Sequence, residues 1–233
     1  MRILLLGRGK TGSLVADVAQ ERGHSLRSLS ERDNVSGSAL TPPFLIQFDV
    51  VMDFTTPEAV VPNMRACLAA GAKMVVGTTG WYDALPDIRG IVERRGGALL
   101  YSSNFSAGVQ IFFQLAQHFG HAFSKLPDYE LHITETHHAT KLDAPSGTAK
   151  TARNLLANVG AEAEITSHRT GESAGDHMIE ARSADDRIIL QHEAFSRRGF
   201  ALGAVRGAEW LASTSMPPKT GVYDYRDIFS QLT

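Results

Sequence analysis

The 233-residue sequence predicts an α/β protein, with a parallel sheet covered by helices in its first part and a smaller α+β domain after it. Three observations predict it. Short apolar runs alternate with helix-patterned segments up to residue 105, a G-x-G-x-x-G turn stands between the first run and the first helix, and beyond residue 105 strands outnumber helices.

Arg2 to Leu6 is a continuous apolar run stopped by Gly7, which suits a strand buried on both faces. Gly12 to Arg22 carries Leu14, Val15, Val18 and Ala19 at helical spacing and ends at Gly23. His24 to Leu29 and Gln47 to Phe54 read as the next strands, and Pro57 to Ala70 as a helix closed by Gly71. Pro62 lies inside that helix and predicts a break or a late start there. Lys73 to Val76 is a fourth strand, Asp87 to Arg95 a helix, and Ala98 to Tyr101 a fifth strand. This alternation predicts right-handed crossovers with helices on both faces of the sheet.

After residue 105 the pattern changes. Val109 to Phe119 is an apolar helix whose aromatics read as core, followed by strands at Tyr129 to Glu135, Ile165 to Arg169, His177 to Ala181 and Arg187 to Phe195, with one helix, Gly147 to Asn158, among them. Phe200 to Leu211 and Tyr223 to Phe229 return to helix. The expected domains are therefore 1–105 with 206–233, and 106–205.

Composition narrows the function. With 43% hydrophobic and 21% charged residues the chain is an ordinary globular one, and a formal net charge of −2 offers no general attraction to nucleic acid or an anionic membrane. Cys67 is the single cysteine, which excludes an internal disulfide and paired-cysteine metal sites, and suggests a reducing cytoplasm. Ile3 to Leu6 is shorter than the roughly 7–15 residues of a signal-peptide core. No run approaches the ~20 apolar residues of a membrane span, so the expectation is a soluble, unprocessed protein.

Gly7-Arg8-Gly9-Lys10-Thr11-Gly12 stands between strand and helix, the context in which such a turn binds a dinucleotide in a Rossmann-type domain. Gly7 would make the tight turn, Gly9 would let the backbone approach a pyrophosphate, and Gly12 would let helix and strand pack closely. Glu31 follows Gly12 by 19 residues, placed to hydrogen-bond the ribose hydroxyls of NAD, while Arg32 beside it suits the 2′-phosphate of NADP. Either reductant, NADH or NADPH, fits. Gly77-Thr78-Thr79-Gly80 and Ser102-Ser103-Asn104-Phe105 lie at strand carboxyl ends, where ligands of open α/β sheets collect.

Eight of the nine histidines fall between residues 118 and 192. The densest segment is Glu135-Thr-His137-His138-Ala-Thr-Lys141-Leu-Asp143-Ala-Pro-Ser146-Gly147-Thr148-Ala149, running from a strand end to a helix start. Ser146 or Gly147 would cap that helix, leaving the Gly147 and Thr148 amides to grip an anion. His137, His138 and Asp143 are metal-ligand types, but adjacent histidines lack the helical i, i+4 spacing and no cysteine supplements them, so no metal is expected. Two histidines and a lysine before a helix N-terminus suit an anionic substrate that must also be protonated.

This fifteen-residue segment resembles the signature of the dihydrodipicolinate reductase family, enzymes of the diaminopimelate route to lysine. The resemblance extends over nearly the whole chain, through the glycine turn, DFTTPE at 53–58, GTTG at 77–80, SSNFS at 102–106, SRRGFALGAVRGAEWL at 196–211 and GVYDYRDI at 221–228. It implies NADH- or NADPH-dependent reduction of 4-hydroxy-tetrahydrodipicolinate, a small dicarboxylate, to tetrahydrodipicolinate, by a cytoplasmic homotetramer assembled through second-domain sheets. His137 matches the family's acid/base histidine, Lys141 its catalytic lysine, His138 a substrate-contacting histidine, and Gly147 and Thr148 the donors to a substrate carboxylate. Gly7 to Gly12, Glu31, Gly77 to Thr79 and Ser102 to Phe105 match cofactor positions, and Arg32 one associated with the NADP phosphate. The turn departs from the family in ending Lys-Thr-Gly rather than Arg-Met-Gly, one residue short, and Ser102-Ser103 replace a common Ala-Pro. Because the resemblance puts cofactor and substrate in different domains, it also implies closure before hydride transfer. A semialdehyde dehydrogenase and a non-catalytic nucleotide-binding regulator are rival readings, disfavoured by the paired histidines and by retention of His137 with Lys141.

Overall fold

The computed structural model describes residues 1–214 and 219–232. The chain divides into two units, Met1–Ser106 with Arg198–Thr233, and Ala107–Arg197.

In the first unit, strands β1 (Arg2–Leu6), β2 (Ser25–Leu29), β3 (Val50–Asp53), β4 (Lys73–Val76) and β5 (Ala98–Tyr101) alternate with helices α1 (Lys10–Glu21), α2 (Pro42–Leu45), α3 (Pro57–Ala69) and α4 (Leu85–Arg95). A strand from late in the chain, Gly221–Asp224, makes the five into six, and all are parallel. β1, β3 and β4 are almost wholly buried, which is why they read as continuous apolar runs rather than alternating ones. One face of the sheet is filled by Val60, Met64 and Leu68 of α3 with Ile88 and Val92 of α4. Cys67 belongs to that core, and burial pushes its thiol pKa up, so it stays a protonated core residue.

The second unit contains α5 (Ala107–Phe123), β6 (Glu130–His137), α6 (Gly147–Ala157), β7 (Ala163–Arg169), β8 (Asp176–Arg182) and β9 (Arg187–Glu193). The sheet order is β7-β6-β8-β9, with β7 parallel to β6 and the other pairs antiparallel. Phe112, Phe113 and Ala116 of α5 and Ala149, Ala152 and Leu156 of α6 form one core with Ile133 and Ile179. The α5 aromatics expected in the core are there, with Phe119 partly buried against it, whereas Leu115 of the same helix is exposed.

The first unit is completed by α7 (Arg198–Ala212), β10 (Gly221–Asp224) and α8 (Tyr225–Ile228). Three sequence expectations are corrected. The helix over Pro62 is unbroken: the proline sits past the first turn and costs one bond to the Glu58 carbonyl, whose residue is exposed and open to water. Tyr223 and Asp224 do not begin a helix but end β10, parallel to β5, because a four-residue segment has too little pattern to resist pairing with an open sheet edge. The chain returns to the first unit at Arg198 rather than at 206, since α7 is one helix whose Ala201, Ala204, Val205, Ala208 and Leu211 are all buried along its length. Among the described residues no helix is long and apolar enough to cross a membrane.

Candidate active site

The glycine turn folds as its residue types require. Gly7 has φ +90°, and a Cβ there would fall 2.4 Å from the Phe54 carbonyl oxygen. Gly12 lies in the first turn of α1, where a Cβ would fall 2.3 Å from the Gly7 carbonyl oxygen. Gly9 differs from both: an added Cβ would have nothing within 4 Å. As N-cap of α1 it makes no side-chain hydrogen bond, so the helix's leading amides and positive dipole end face open space. That arrangement fits the pyrophosphate of a dinucleotide.

Gly7, Arg8 and Gly9 line a cleft of ≈ 460 Å³ together with Ser30, Glu31 and Asn34. Glu31 sits in a turn directly after β2, and that turn is closed by Asp33, whose carboxylate accepts from the Ser30 amide (3.0 Å) and hydroxyl (2.6 Å). A second cavity of ≈ 230 Å³ shares Phe54 and Thr55 with the first and is lined by Thr11, Gly77, Thr78 and Thr79. Lys10 and Arg32 are exposed and line neither cavity. At the end of β5 the Ser102 hydroxyl donates to the Asn104 carbonyl (2.7 Å) and accepts from the Asn104 amide (3.1 Å). Phe105 is fully buried against Phe200 and Tyr225, and its ring is core rather than a surface for a ligand.

Sequence reasoning did not single out Asp53. Its carboxylate, wholly buried at the end of β3, accepts from the Thr55 amide (3.0 Å), the Thr55 hydroxyl (2.6 Å), Asn63 Nδ2 (2.8 Å) and Thr78 Oγ1 (3.1 Å). Asn63 in turn accepts from Asn34 Nδ2 (2.9 Å). One acid therefore ties together the loops that line both cavities. Burial raises its pKa, and the four donors counter that rise.

In the second unit, strand register assembles the chemistry. Ser167, Glu135, His177 and His192 lie in one row across β7, β6, β8 and β9, and Arg169 and His137 are paired in the next position along β7 and β6. Ile133 precedes Glu135 by two residues on β6 and is core, so period-two alternation points Glu135 and His137 to the same inward face. That alternation was the available signal for Glu135; His177 and Arg169 come only from register. Glu135 Oε1 accepts from the Ser146 amide (3.0 Å), Ser167 Oγ (2.8 Å) and Arg169 Nη2 (2.9 Å). Its Oε2 lies 3.4 Å from His137 Nδ1 and 3.8 Å from His177 Nε2. Burial alone would raise the Glu135 pKa, but the bonds from Ser146, Arg169 and Ser167 overturn it and hold the acid at about 2. Burial pushes His137 down to about 4 and His177 to about 3, so both imidazoles are neutral at pH 7 without a ligand.

Ser146 caps α6, its hydroxyl accepting from the Ala149 amide (3.1 Å), and Thr148 is buried in the first turn. The helix N-terminus bearing Gly147 and Thr148 is thereby fastened to Glu135 on β6. Between them, Lys141 Nζ pairs with Asp143 (2.6 Å), close enough to His137 for its charge to help lower the imidazole pKa. His138 is half-buried, its Nδ1 2.8 Å from the Thr140 hydroxyl and its amide donating to the Ser173 carbonyl (3.0 Å).

Glu135, His137 and His177 have ligand atoms mutually within 4.8 Å, the spacing of a metal site, whereas His138 and Asp143, the other ligand types in the signature, do not join them. The Arg169 guanidinium already supplies positive charge to the Glu135 carboxylate, and no metal is assigned here.

The family descriptions "Dihydrodipicolinate reductase, N-terminus" and "Dihydrodipicolinate reductase, C-terminus" match residues 1–105 and 108–229. The chain belongs to the dihydrodipicolinate reductase family. It is 35% identical to a 4-hydroxy-tetrahydrodipicolinate reductase of Christiangramia forsetii, covering 100% of this chain and 99% of that one. It is likewise 35% identical to the enzyme of that name from Natronomonas pharaonis, covering 97% and 99%. The structure of a dipicolinate-bound dihydrodipicolinate reductase from Paenisporosarcina sp. TG-14 shares the fold, with TM-score 0.73, 22% identity, and 98% and 99% of the two chains covered. Reductases of this family are NAD(P)H oxidoreductases of lysine and diaminopimelate biosynthesis, and their N-terminal domain is the nucleotide-binding one.

Proposed function

We propose that this chain reduces 4-hydroxy-tetrahydrodipicolinate to tetrahydrodipicolinate with NADH or NADPH, using His137 as acid/base and Lys141 as its partner. The observation that supports it most is the joining of His137 and the α6 N-terminus around one buried acid, Glu135, with Lys141 near enough to His137 to act on its imidazole, in a family whose members carry that activity. Gly7 to Gly12 and Glu31 would hold the reductant at its pyrophosphate and ribose, and the bound reductant would supply a hydride.

The 4-hydroxyl group leaves as water, and hydride addition at ring carbon 4 of the unsaturated imine drives an electron pair through the conjugated system into an enamine-like anion. That anion then takes up a proton. His137 and Lys141 hold and deliver it, while Lys141, His138 and the amides and hydroxyl of Gly147 and Thr148 neutralise the substrate's two carboxylates. The neutral state of His137 without a ligand suits this order, because a bound dianion favours the imidazolium.

Ser102 to Phe105 and Gly77 to Thr79 would border the nicotinamide, Arg8, Lys10 and Thr11 the phosphates, and Arg32 a 2′-phosphate. The same reading places the enzyme in the cytoplasm as a homotetramer joined through the second unit's sheet, whose outward residues include Thr166 and Ile189.

The test compares initial rates with NADH and NADPH on the 4-hydroxy substrate. Turnover is expected with at least one of them, and roughly 10²-fold lower turnover in His137→Ala and Lys141→Ala with NADH binding intact. Wild-type turnover in either variant would remove the role given to that residue, and oxidation of a semialdehyde in place of reduction of the dicarboxylate would overturn the function.

A further inference from the structure

We infer that Glu135 is a positioning residue for this reaction, holding the His137 ring through Nδ1 and so leaving Nε2 as the nitrogen that exchanges a proton with substrate. The inference rests on the acid/base role of His137 proposed above.

The two oxygens of Glu135 are used differently. Oε1 is pinned by three donors from two elements, the Ser146 amide at the start of α6 and Ser167 and Arg169 on β7. Oε2 takes none of these donors, is buried, and faces the two imidazoles. His137 Nδ1 is likewise buried and makes no other hydrogen bond, so the two unsatisfied atoms are 3.4 Å apart and each is the other's available partner. A distance that long is common in a ligand-free catalytic pair and shortens when substrate binds. A carboxylate only accepts, so the pairing requires the proton on Nδ1, and the hydrogen bond at one ring nitrogen determines the state of the other.

Ile133 and Ile179, the inward pair one row further along β6 and β8, are ordinary core. In the next row Glu135 serves the Ser146 amide, Ser167 and Arg169 through Oε1 alone, so its structural donors account for one oxygen and leave Oε2 to the imidazoles. The Nε2 side of His137 borders Gly175, where an added Cβ would come within 3.0 Å of that nitrogen and crowd it.

The experiment has one measurement on the unaltered protein and one on variants. Nitrogen-15 NMR of the wild-type enzyme at neutral pH is expected to show His137 as the Nδ1–H tautomer, and the Nε2–H tautomer overturns the inference. Glu135→Gln is expected to lower kcat about tenfold or more with the KM for NADH unchanged, and the double variant with His137→Ala to be no slower than His137→Ala alone, because the two act as one unit. Wild-type kcat in Glu135→Gln, or losses that multiply in the double variant, overturn it. If His137→Ala itself turns over normally, the acid/base reading of His137 falls instead, so the two failures are distinguishable. Should Glu135→Gln not fold, Ser167→Ala, which removes one of the Oε1 donors, is expected to lower kcat and not the NADH KM, and an unchanged kcat counts against the inference.

Discussion

Replacing Gly9 and Gly12 separately by alanine should produce opposite phenotypes, although both are glycines of one turn. At Gly12 the new Cβ would stand 2.3 Å from the Gly7 carbonyl oxygen and 3.1 Å from its carbon, so backbone, not a flexible side chain, has to move by about 1 Å. Overpacking of that kind costs roughly 1–3 kcal/mol, a large share of a typical domain's ~5–15 kcal/mol. At Gly9 the backbone is already in an extended conformation open to any residue, φ −69° and ψ −173°, and the Cβ would meet nothing within 4 Å. Its stability cost is therefore within about 0.5 kcal/mol. On the proposed placement of the cofactor, the open space over Gly9 is where a pyrophosphate would approach the α1 amides, and a methyl group there would hold it off. We expect NADH affinity to fall tenfold or more, equivalent to ~1.4 kcal/mol. Urea denaturation measures the first quantity and NADH fluorescence titration the second. Wild-type NADH affinity in Gly9→Ala would refute the placement of the phosphates, and equal destabilisation by the two substitutions would refute the geometric argument.

Three further outcomes follow from buried groups. Asp53→Ala strands the Asn63 amide and the Thr78 hydroxyl, 2% and 7% exposed, at about 1–3 kcal/mol each, so a drop in the urea midpoint with weakened NADH binding is expected, and an unchanged midpoint would refute the hub role. His137 and His177, held at about 4 and 3 against an ordinary 6.5, refuse protons that the unfolded chain accepts; stability is therefore full above pH 6.5 and declines toward pH 4, by up to ~1.4 kcal/mol per pH unit per group. Glu135, depressed from 4.5 to about 2, adds a loss in the same direction below pH 4.5, and equal urea midpoints at pH 7 and pH 5 would contradict the imidazole burial. Ser146→Ala removes the α6 cap but not the backbone bond to Glu135, so about 1 kcal/mol of stability should be lost and the substrate KM should rise while kcat holds, as thermal melts and initial rates would show.

Most of the first unit was legible in the sequence because its signals are local. A buried parallel strand is an apolar run, a helix next to it has its own period, and the phosphate turn needs glycine within six consecutive residues, so neighbours along the chain are neighbours in space. The signature from Glu135 to Ala149 was legible for the same reason, with Ser146 capping the helix that the pattern predicts. The failures were equally physical. β10 is four residues long and acquires its conformation from the β5 edge, not from its own pattern, and Pro62 is tolerated where the bond it forgoes is to Glu58, an exposed residue of the first turn.

By itself, the sequence determined the order of elements, the residues of the glycine turn and the presence of His137 and Lys141 before a helix start. Only the tertiary structure decided what those groups face. Glu135 meets Ser167, Arg169 and His177 across strands 32 to 42 residues away, partners chosen by register, and Asp53 meets Thr78 across 25. An ionisable group's properties depend on how completely it is removed from water and on which donors reach it. Both are settled only when distant strands come into register, so the sequence named His137, the proposed acid/base residue, while the fold brought Glu135 to it.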